Sequence, residues 1–462
     1  MQYTFKTEPD DFQVDALSRA LKQRRFGVFF QQRVGKTKVG IDFAGALYVG
    51  KKVTRVLVVT TLSGVAVWEG QLSEHLGEVF TYSTLPRVTT KRKDILKKPY
   101  VGVHFLCVTH DSLYPNKNLL RRWKPQAIVF DEVHELKNPN SQRSRAAYSL
   151  AKDCPYVLGL TGTPIAKRPT DLFGIFKAIN PNVFGTKFNT FKDTYCIMGG
   201  YMGYQVVGYK NTEQLADILA QHSIRVLRKD VMDEPGMEYV TVPVSLENDA
   251  REVYNRLKKE AIAELSAVSK VSANLAGVRA LRLQQLCGGF LRDDDGHEHQ
   301  VSTAKLTTAT NLISDLVSSG KQVVVFANFL AEIDALATAL SREFIAVGVV
   351  QGSVPEKSRT ALVKAFQKGD IPVLIMQEHT GSMAVCLDKA HTNVYYSLNH
   401  RLVDFQQSRD RVMGRGQTND VTTYLLTVKK SVDEKVVKIL RNDEDLAVSI
   451  GDKWRWLFEE DD

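Results

Sequence analysis

FFQQRVGKTKVG, residues 29–40, leaves an apolar run through Gly35-Lys36-Thr37 and enters a helix-compatible segment. A strand–loop–helix of this kind aims backbone N–H groups and a helix N-terminus at phosphate oxygens, with Lys36 on the β- and γ-phosphates and Thr37 on magnesium. The loop departs from the usual glycine-rich form: Arg33 stands two residues before Gly35. Gly-Lys-Thr also recurs by chance in basic chains, so this stretch alone leaves a nucleotide site and a coincidence both open.

The second half of a nucleotide-hydrolysing site is an acidic residue ending an apolar strand, and AIVFDEVHELKN, 127–138, supplies Asp131 and Glu132. Asp131 suits magnesium, and Glu132 suits orienting or deprotonating the attacking water. Phosphoryl transfer needs positioning and charge neutralisation more than covalent chemistry. The competing reading of Asp-Glu as a helix N-cap does not account for Lys36.

Working outward, short apolar runs alternate with charged helical stretches: RVLVVTT at 55–61, HFLCVTH at 104–110 and YVLGLTGTP at 156–164. Strands buried on both faces between helices read this way, which predicts an α/β fold with a parallel sheet. A second series begins at KQVVVFANF, 321–329, and continues through PVLIMQ, 372–377, and TTYLLTV, 422–428. The expected layout is a first lobe over 1–230 with a hairpin-like insertion at about 195–210, a helical linker over 231–300, and a second lobe over 301–462. At 462 residues, two domains are the natural expectation. The run DDDGHEH, 293–299, lacks the full calcium-loop pattern and reads as a solvated turn.

With 44% hydrophobic and 24% charged residues and no apolar run of membrane-spanning length, the chain reads as globular. Its N-terminus, MQYTFKTEPDDFQ, has no signal or transit character. Five cysteines without a C-x-x-C pair indicate neither a disulfide framework nor a zinc site. A cytoplasmic location is expected. A net charge of +9 favours a polyanionic partner through phosphate neutralisation.

Here the residues carry a resemblance. DEVHELKNPNSQRS followed by LTGTPIAKRPTDLFGIFKAINPNVFG resembles motifs II and III of the Swi/Snf-like branch of superfamily 2 helicases and translocases. VVTTLSGVAVWEGQL, VTHDSL, VVVFANF, TGSMAVCLDKAHTNVYY and QQSRDRVMGRGQ are similar to motifs Ia, Ib, IV, V and VI, so the likeness covers nearly the whole chain. It implies two RecA-like lobes with ATP and magnesium bound by Lys36, Thr37, Asp131 and Glu132. Further implied nucleotide contacts are Gln13, which reads adenine, with Arg33, Gly35, Gly381 and Asp388. His134, Thr161, Thr163 and Gln407 are implied to couple nucleotide state to the track. From motif VI, Arg411 and Arg415 are both expected at the cleft, with the transition-state arginine open between them.

The likeness also implies DNA-backbone contacts at Thr61, Ser63, Thr109, His110, Asn328, Gly352, Thr380 and Ser382. Trp68 is open between stacking on a base and filling core. YMGYQVVGY, 201–209, alternates like a β-hairpin, whose Tyr201 and Tyr204 act either as a wedge stacking on separated bases or as a surface flap. The region around it resembles fork-remodelling annealing helicases, and the helical tail VDEKVVKILRNDEDLAVSI resembles the family's closing brace. The expectation is a compact, monomeric DNA helicase or translocase on forked or Holliday-type DNA. Such relatives serve replication, recombination and repair in bacteria and in phage-infected hosts, with protein partners from those processes. A duplex translocase that strips bound proteins, an RNA helicase and a non-enzymatic scaffold are the alternatives; the scaffold reading is disfavoured because Lys36, Asp131 and Glu132 are all present.

Overall fold

The computed structural model describes residues 3–62, 64–86, 89–96, 100–162, 164, 169–199, 205–231, 235–267, 281–293, 297–377, 387–399, 402–413, 417–438 and 440. The chain divides between residues 233 and 234 into two compact units.

In the first unit, β1 (Arg25–Phe30), β2 (Arg55–Thr60), β3 (Phe80–Thr84), β4 (Val103–Thr109), β5 (Ala127–Asp131), β6 (Tyr156–Leu160) and β9 (Ser223–Val226) form one sheet in the order β3-β4-β2-β5-β6-β1-β9. Every pairing is parallel. Between β6 and β9 lies an antiparallel pair, β7 (Cys196–Gly199) with β8 (Gln205–Tyr209).

The apolar runs are explained by burial on both sheet faces. Phe29, Val59, Phe130 and Val157 face a core shared with α4 (Leu113–Trp123), α5 (Gln142–Ala151) and α6 (Asp171–Ile179). Their neighbours Val28, Phe30, Val58 and Leu158 face the opposite core, shared with α1 (Asp11–Gln23), α2 (Lys36–Val49) and α3 (Gly64–His75). A strand flanked by helices on both sides has no solvated face, so no polar alternation develops. Each fully buried large apolar side chain contributes about 1.5–3 kcal/mol. The remaining helices of this unit are α7 (Pro181–Phe184), α8 (Phe188–Tyr195) and α9 (Thr212–His222).

The second unit corrects one expectation. Residues 231–300 read as a helical linker, yet β10 (Met237–Val244) pairs along its whole length with β17 (Val421–Val428). It is the edge strand of a parallel sheet ordered β10-β17-β16-β13-β15-β14, where β13 is Val323–Ala327, β14 Val347–Val350, β15 Val373–Gln377 and β16 Thr392–Tyr395. The strand was hidden because MEYVTVPV is half-exposed at an edge and carries Pro243, which lacks a ladder donor. Helix α10 (Asn248–Ala267) follows, and β11 (Phe290–Arg292) then pairs antiparallel with β12 (Glu298–Gln300). Helices α11 (Ala304–Ser318), α12 (Leu330–Arg342), α13 (Glu356–Lys368) and α14 (Leu402–Asp410) also belong to this unit, as do helical residues 281–287 and 432–438. The expected brace segment beyond residue 440 lies outside the described residues.

The loop after β13 is fixed by a buried carboxylate. Glu332 Oε2 accepts the N–H groups of Asn328 (3.2 Å) and Phe329 (3.1 Å) and the Ser397 hydroxyl. Burial pushes its carboxyl from the ordinary 4.5 up to about 7, even though the Lys305 ammonium and these donors favour the charged form. Because the folded chain then holds a proton that the unfolded chain has released, stability falls as pH rises from about 4.5 to about 7 and levels off beyond. The denaturant midpoint should decline over that window in the wild type and decline less in Glu332→Gln; an unchanged slope assigns the titration to another group.

Candidate active site

In the order β4-β2-β5-β6-β1, the C-terminal strand ends carry Thr109-His110, Thr60-Thr61, Asp131-Glu132, Thr161 and the turn 31–35. Register keeps them level: Thr60 is opposite Thr109, and Leu160 is opposite both Asp131 and Val28. In open α/β sheets this edge is where ligands bind.

The turn after β1 is built for an anion. Gly35 takes φ +88°, caps α2, and has no space for a side chain, since an added Cβ would stand 2.2 Å from Gln13 Nε2. Arg33 is also left-handed at φ 67°. Gln13 is 3% exposed. Its Nε2 donates to the Val34 carbonyl (3.2 Å) and its Oε1 accepts the Asp10 N–H (3.1 Å), so the expected adenine reader braces the loop. The turn is also tied to β9: Gln31 N–H donates to Val226 O (2.9 Å), and Gln31 Oε1 accepts the Arg228 N–H (3.0 Å).

Lys36 opens α2, is 9% exposed, and sets Nζ 3.0 Å from Glu132 Oε1. Glu132 follows β5 in a left-handed conformation, φ 50°. Its Oε2 lies 3.3 Å from His134 Nδ1, which is itself 2.9 Å from Thr161 Oγ1. A polar chain therefore runs Lys36–Glu132–His134–Thr161 across β1, β5 and β6. Burial alone would raise the Glu132 carboxyl, but the Lys36 ammonium and His134 outweigh it and hold it well below the carboxylate range. A carboxylate so held is ionised and available as an acceptor that orients a water.

Asp131 has the opposite environment. Its Oδ2 accepts from Thr60 Oγ1 (2.9 Å) and Trp68 Nε1 (3.0 Å), and its Oδ1 accepts the Glu132 N–H (3.1 Å). Burial and then the Glu132 charge raise its carboxyl. A buried carboxylate bonded by neutral donors fits a divalent cation, which would supply the missing positive charge. Thr37, half-buried in the first turn of α2, offers the companion hydroxyl.

The choice left open for Trp68 falls to core, and the DNA contact expected of His110 is corrected. Trp68 is 1% exposed with its N–H on Asp131, so it cannot stack on a base. His110 is 4% exposed and sets Nε2 2.8 Å from the Asp131 carbonyl; burial lowers its pKa to about 4. Thr109 accepts the Ser112 N–H (3.3 Å) as a cap, and Thr61 accepts the Gly64 N–H (3.3 Å).

In the second unit, Asn328 is held as described above, Gly352 is exposed with open space around it, and Asp388 accepts from Gln367 (3.2 Å). Gln407 is half-buried in α14, whereas Arg411 is 4% exposed with Nη1 3.9 Å from Met376 Sδ. Ser63, Thr163, Tyr201, Tyr204, Thr380, Gly381, Ser382 and Arg415 lie outside the described residues. Thr60 and Gln31 were missed: their neighbours in sequence drew the attention, and only strand register reveals their partners.

The SNF2-related domain family matches residues 27–288, and the helicase conserved C-terminal domain family matches residues 304–416. The chain belongs to the SNF2-related family. It is 23% identical to an uncharacterized ATP-dependent helicase of Mycoplasma genitalium over 93% of this chain and 40% of that protein. It is likewise 23% identical to a SWI/SNF-related matrix-associated actin-dependent regulator of chromatin subfamily A-like protein 1 homolog of Caenorhabditis elegans, over 82% of this chain and 53% of that one. It thus spans about half or less of those relatives' lengths. A solved structure of the Sulfolobus solfataricus SWI2/SNF2 ATPase core in complex with dsDNA is 20% identical, with a TM-score of 0.47 over 99% of this chain and 97% of that one.

Removing Glu132's charge while keeping its shape tests the site. Glu132→Gln should lower ATP turnover by about 100-fold or more. Lys36→Ala should lower it comparably and also weaken binding of a fluorescent ATP analogue. Near-normal turnover in either variant overturns the assignment.

Proposed function

We propose that the protein is an ATP-dependent DNA helicase or translocase acting on forked or four-way branched DNA in replication, recombination and repair. The observation that carries the ATPase part is the buried chain Lys36–Glu132–His134–Thr161 beside Asp131. Thr37 and Asp131 would hold magnesium, which would supply charge neutralisation on the triphosphate; Lys36 and the turn's N–H groups bind phosphate oxygens, and Glu132 orients the attacking water. His134 links Glu132 to Thr161, so a shift at the carboxylate is felt at the end of β6.

DNA is the favoured polyanion because the net charge is +9 and because Thr61 and Thr109 open turns on the same strand edge as the nucleotide loop. Two relatives carry helicase or chromatin-regulator names, which agrees with a motor on DNA. The branched-substrate part rests on the resemblance of the region around the β7–β8 pair, on which Ile197 and Val207 are 45% and 60% exposed. In the second reading the β7–β8 pair is a surface flap, and the protein is a duplex translocase that displaces bound proteins without unwinding. The four described cysteines are buried free thiols, in keeping with a reducing cytoplasm of a bacterium or phage-infected cell.

ATP turnover should be compared with no nucleic acid, RNA, single-stranded DNA, linear duplex, a fork and a four-way junction, scoring strand products in parallel. Greatest stimulation by fork and junction with rearranged strands is the expected result. Equal stimulation by linear duplex without strand exchange favours the translocase reading, and preference for RNA overturns both. Binding should weaken steeply with salt, by on the order of a thousandfold between about 50 and 200 mM if six or more phosphates are contacted.

A further inference from the structure

Asp131 is gripped from two directions by the strand ends expected to face DNA. Thr60 ends β2 immediately before Thr61, and Trp68 lies in α3, which begins at Gly64 on the far side of the same turn. Both donate to one oxygen, Asp131 Oδ2, at 2.9 and 3.0 Å. The helix start is held to the strand end: Gly64 N–H meets Thr61 Oγ1 at 3.3 Å, and a Cβ on Gly64 would stand 2.0 Å from Thr60 Oγ1. From the next strand, His110 reaches the Asp131 main-chain carbonyl at 2.8 Å. The indole also touches the helix behind the phosphate loop, since a Cβ added to Gly40 would lie 3.2 Å from Trp68 Cη2.

A buried indole N–H needs an acceptor, and for Trp68 that acceptor is the Asp131 carboxylate. Its N–H supplies one of the neutral donors that define where the magnesium-suited carboxylate points, and Trp68 sits about one turn into a helix that begins at Gly64.

We propose that Trp68, with Thr60 and His110, is a positioning residue that transmits occupancy of the 61–64 and 109–112 turns to Asp131, so that the track sets the geometry of the nucleotide site from within the first unit. This rests on the reading of those turns as DNA-facing. Displacement of the turn 61–64 moves both donors on Oδ2 together, because Thr60 and Trp68 flank it. A site whose carboxylate is aimed by the track is active on the track and idle away from it.

The test is Trp68→Phe, which keeps an aromatic ring in the core and removes the N–H, beside Thr60→Val, which removes the other donor at nearly constant shape, and Thr60→Ser, which retains it. Each is measured for ATP turnover with and without duplex DNA. Affinity for a fluorescently labelled duplex is measured with and without a non-hydrolysable ATP analogue plus magnesium. The expected result is that Trp68→Phe and Thr60→Val lose tenfold or more of the DNA stimulation, and that the analogue no longer changes their DNA affinity. Nucleotide-free DNA affinity should stay within about twofold of wild type, and Thr60→Ser should behave as wild type.

Wild-type stimulation and wild-type binding coupling in both donor-removing variants overturn the link. Should Trp68→Phe fail to fold, as judged by its melting transition, Thr60→Val alone decides between the two outcomes. A wild type that no DNA stimulates overturns the DNA reading itself, and the link with it, an outcome separable from the first because it does not involve the variants.

Discussion

A lysine ammonium at the bottom of a sheet edge must be answered by charge, and Glu132 answers Lys36 at 3.0 Å. Breaking a buried ion pair by removing one partner costs about 3–5 kcal/mol, because the remaining charge stays desolvated. That constraint orders much of the first unit. The two side chains come from loops after β1 and β5, which are separated by β6, so Glu132 has to turn back across Thr161 to reach Lys36. Its left-handed backbone, φ 50°, accomplishes this. An anion arriving at Lys36 competes with Glu132 for the same ammonium, and His134 at 3.3 Å keeps a second polar partner on the carboxylate.

Adjacent carboxylates with opposed environments divide the chemistry. Glu132 is held ionised by a cation, whereas Asp131 is bonded by neutral donors and pushed up by burial and by its neighbour. Two acidic groups adjacent in sequence thereby acquire different tasks. One needs no further charge and can work on water; the other needs a cation and can hold one. Environment rather than residue type sets the assignment, as paired titratable groups in active sites commonly show.

Much of this was legible in the sequence because parallel strands buried on both faces leave continuous apolar runs. The strands ending at Phe30, Thr60, Thr109, Asp131 and Leu160 were visible for that reason, and the polar residues after them were then located with them. Less was legible at edges. β3, β9 and β10 are short or half-exposed, and Pro243 interrupts β10, so neither periodicity nor composition marks them. The roles of Trp68 and His110 were missed for another reason. A polar atom on a buried aromatic ring has no sequence signature; its partner is set by strand order, and Asp131 is 63 residues from Trp68 and 21 from His110.

The unforeseen strand β9 also answers why a phosphate loop can dispense with its usual glycine at position 33. The turn demands a left-handed residue there, and for a residue with a Cβ that conformation costs about 1–2 kcal/mol. Arg33 adopts it at φ 67°. Two bonds from Gln31 to β9 and its flank, together with the Val34 N–H on Gln31 O (3.3 Å), fix the turn on one side. Gln13 fixes it on the other through the Val34 carbonyl. Strain at a functional turn persists where its surroundings over-determine it, and here both sides do. At Gly35 the case is different: φ is positive and Gln13 occupies the space a side chain would need, so the anchor that permits Arg33 is the same one that makes Gly35 irreplaceable.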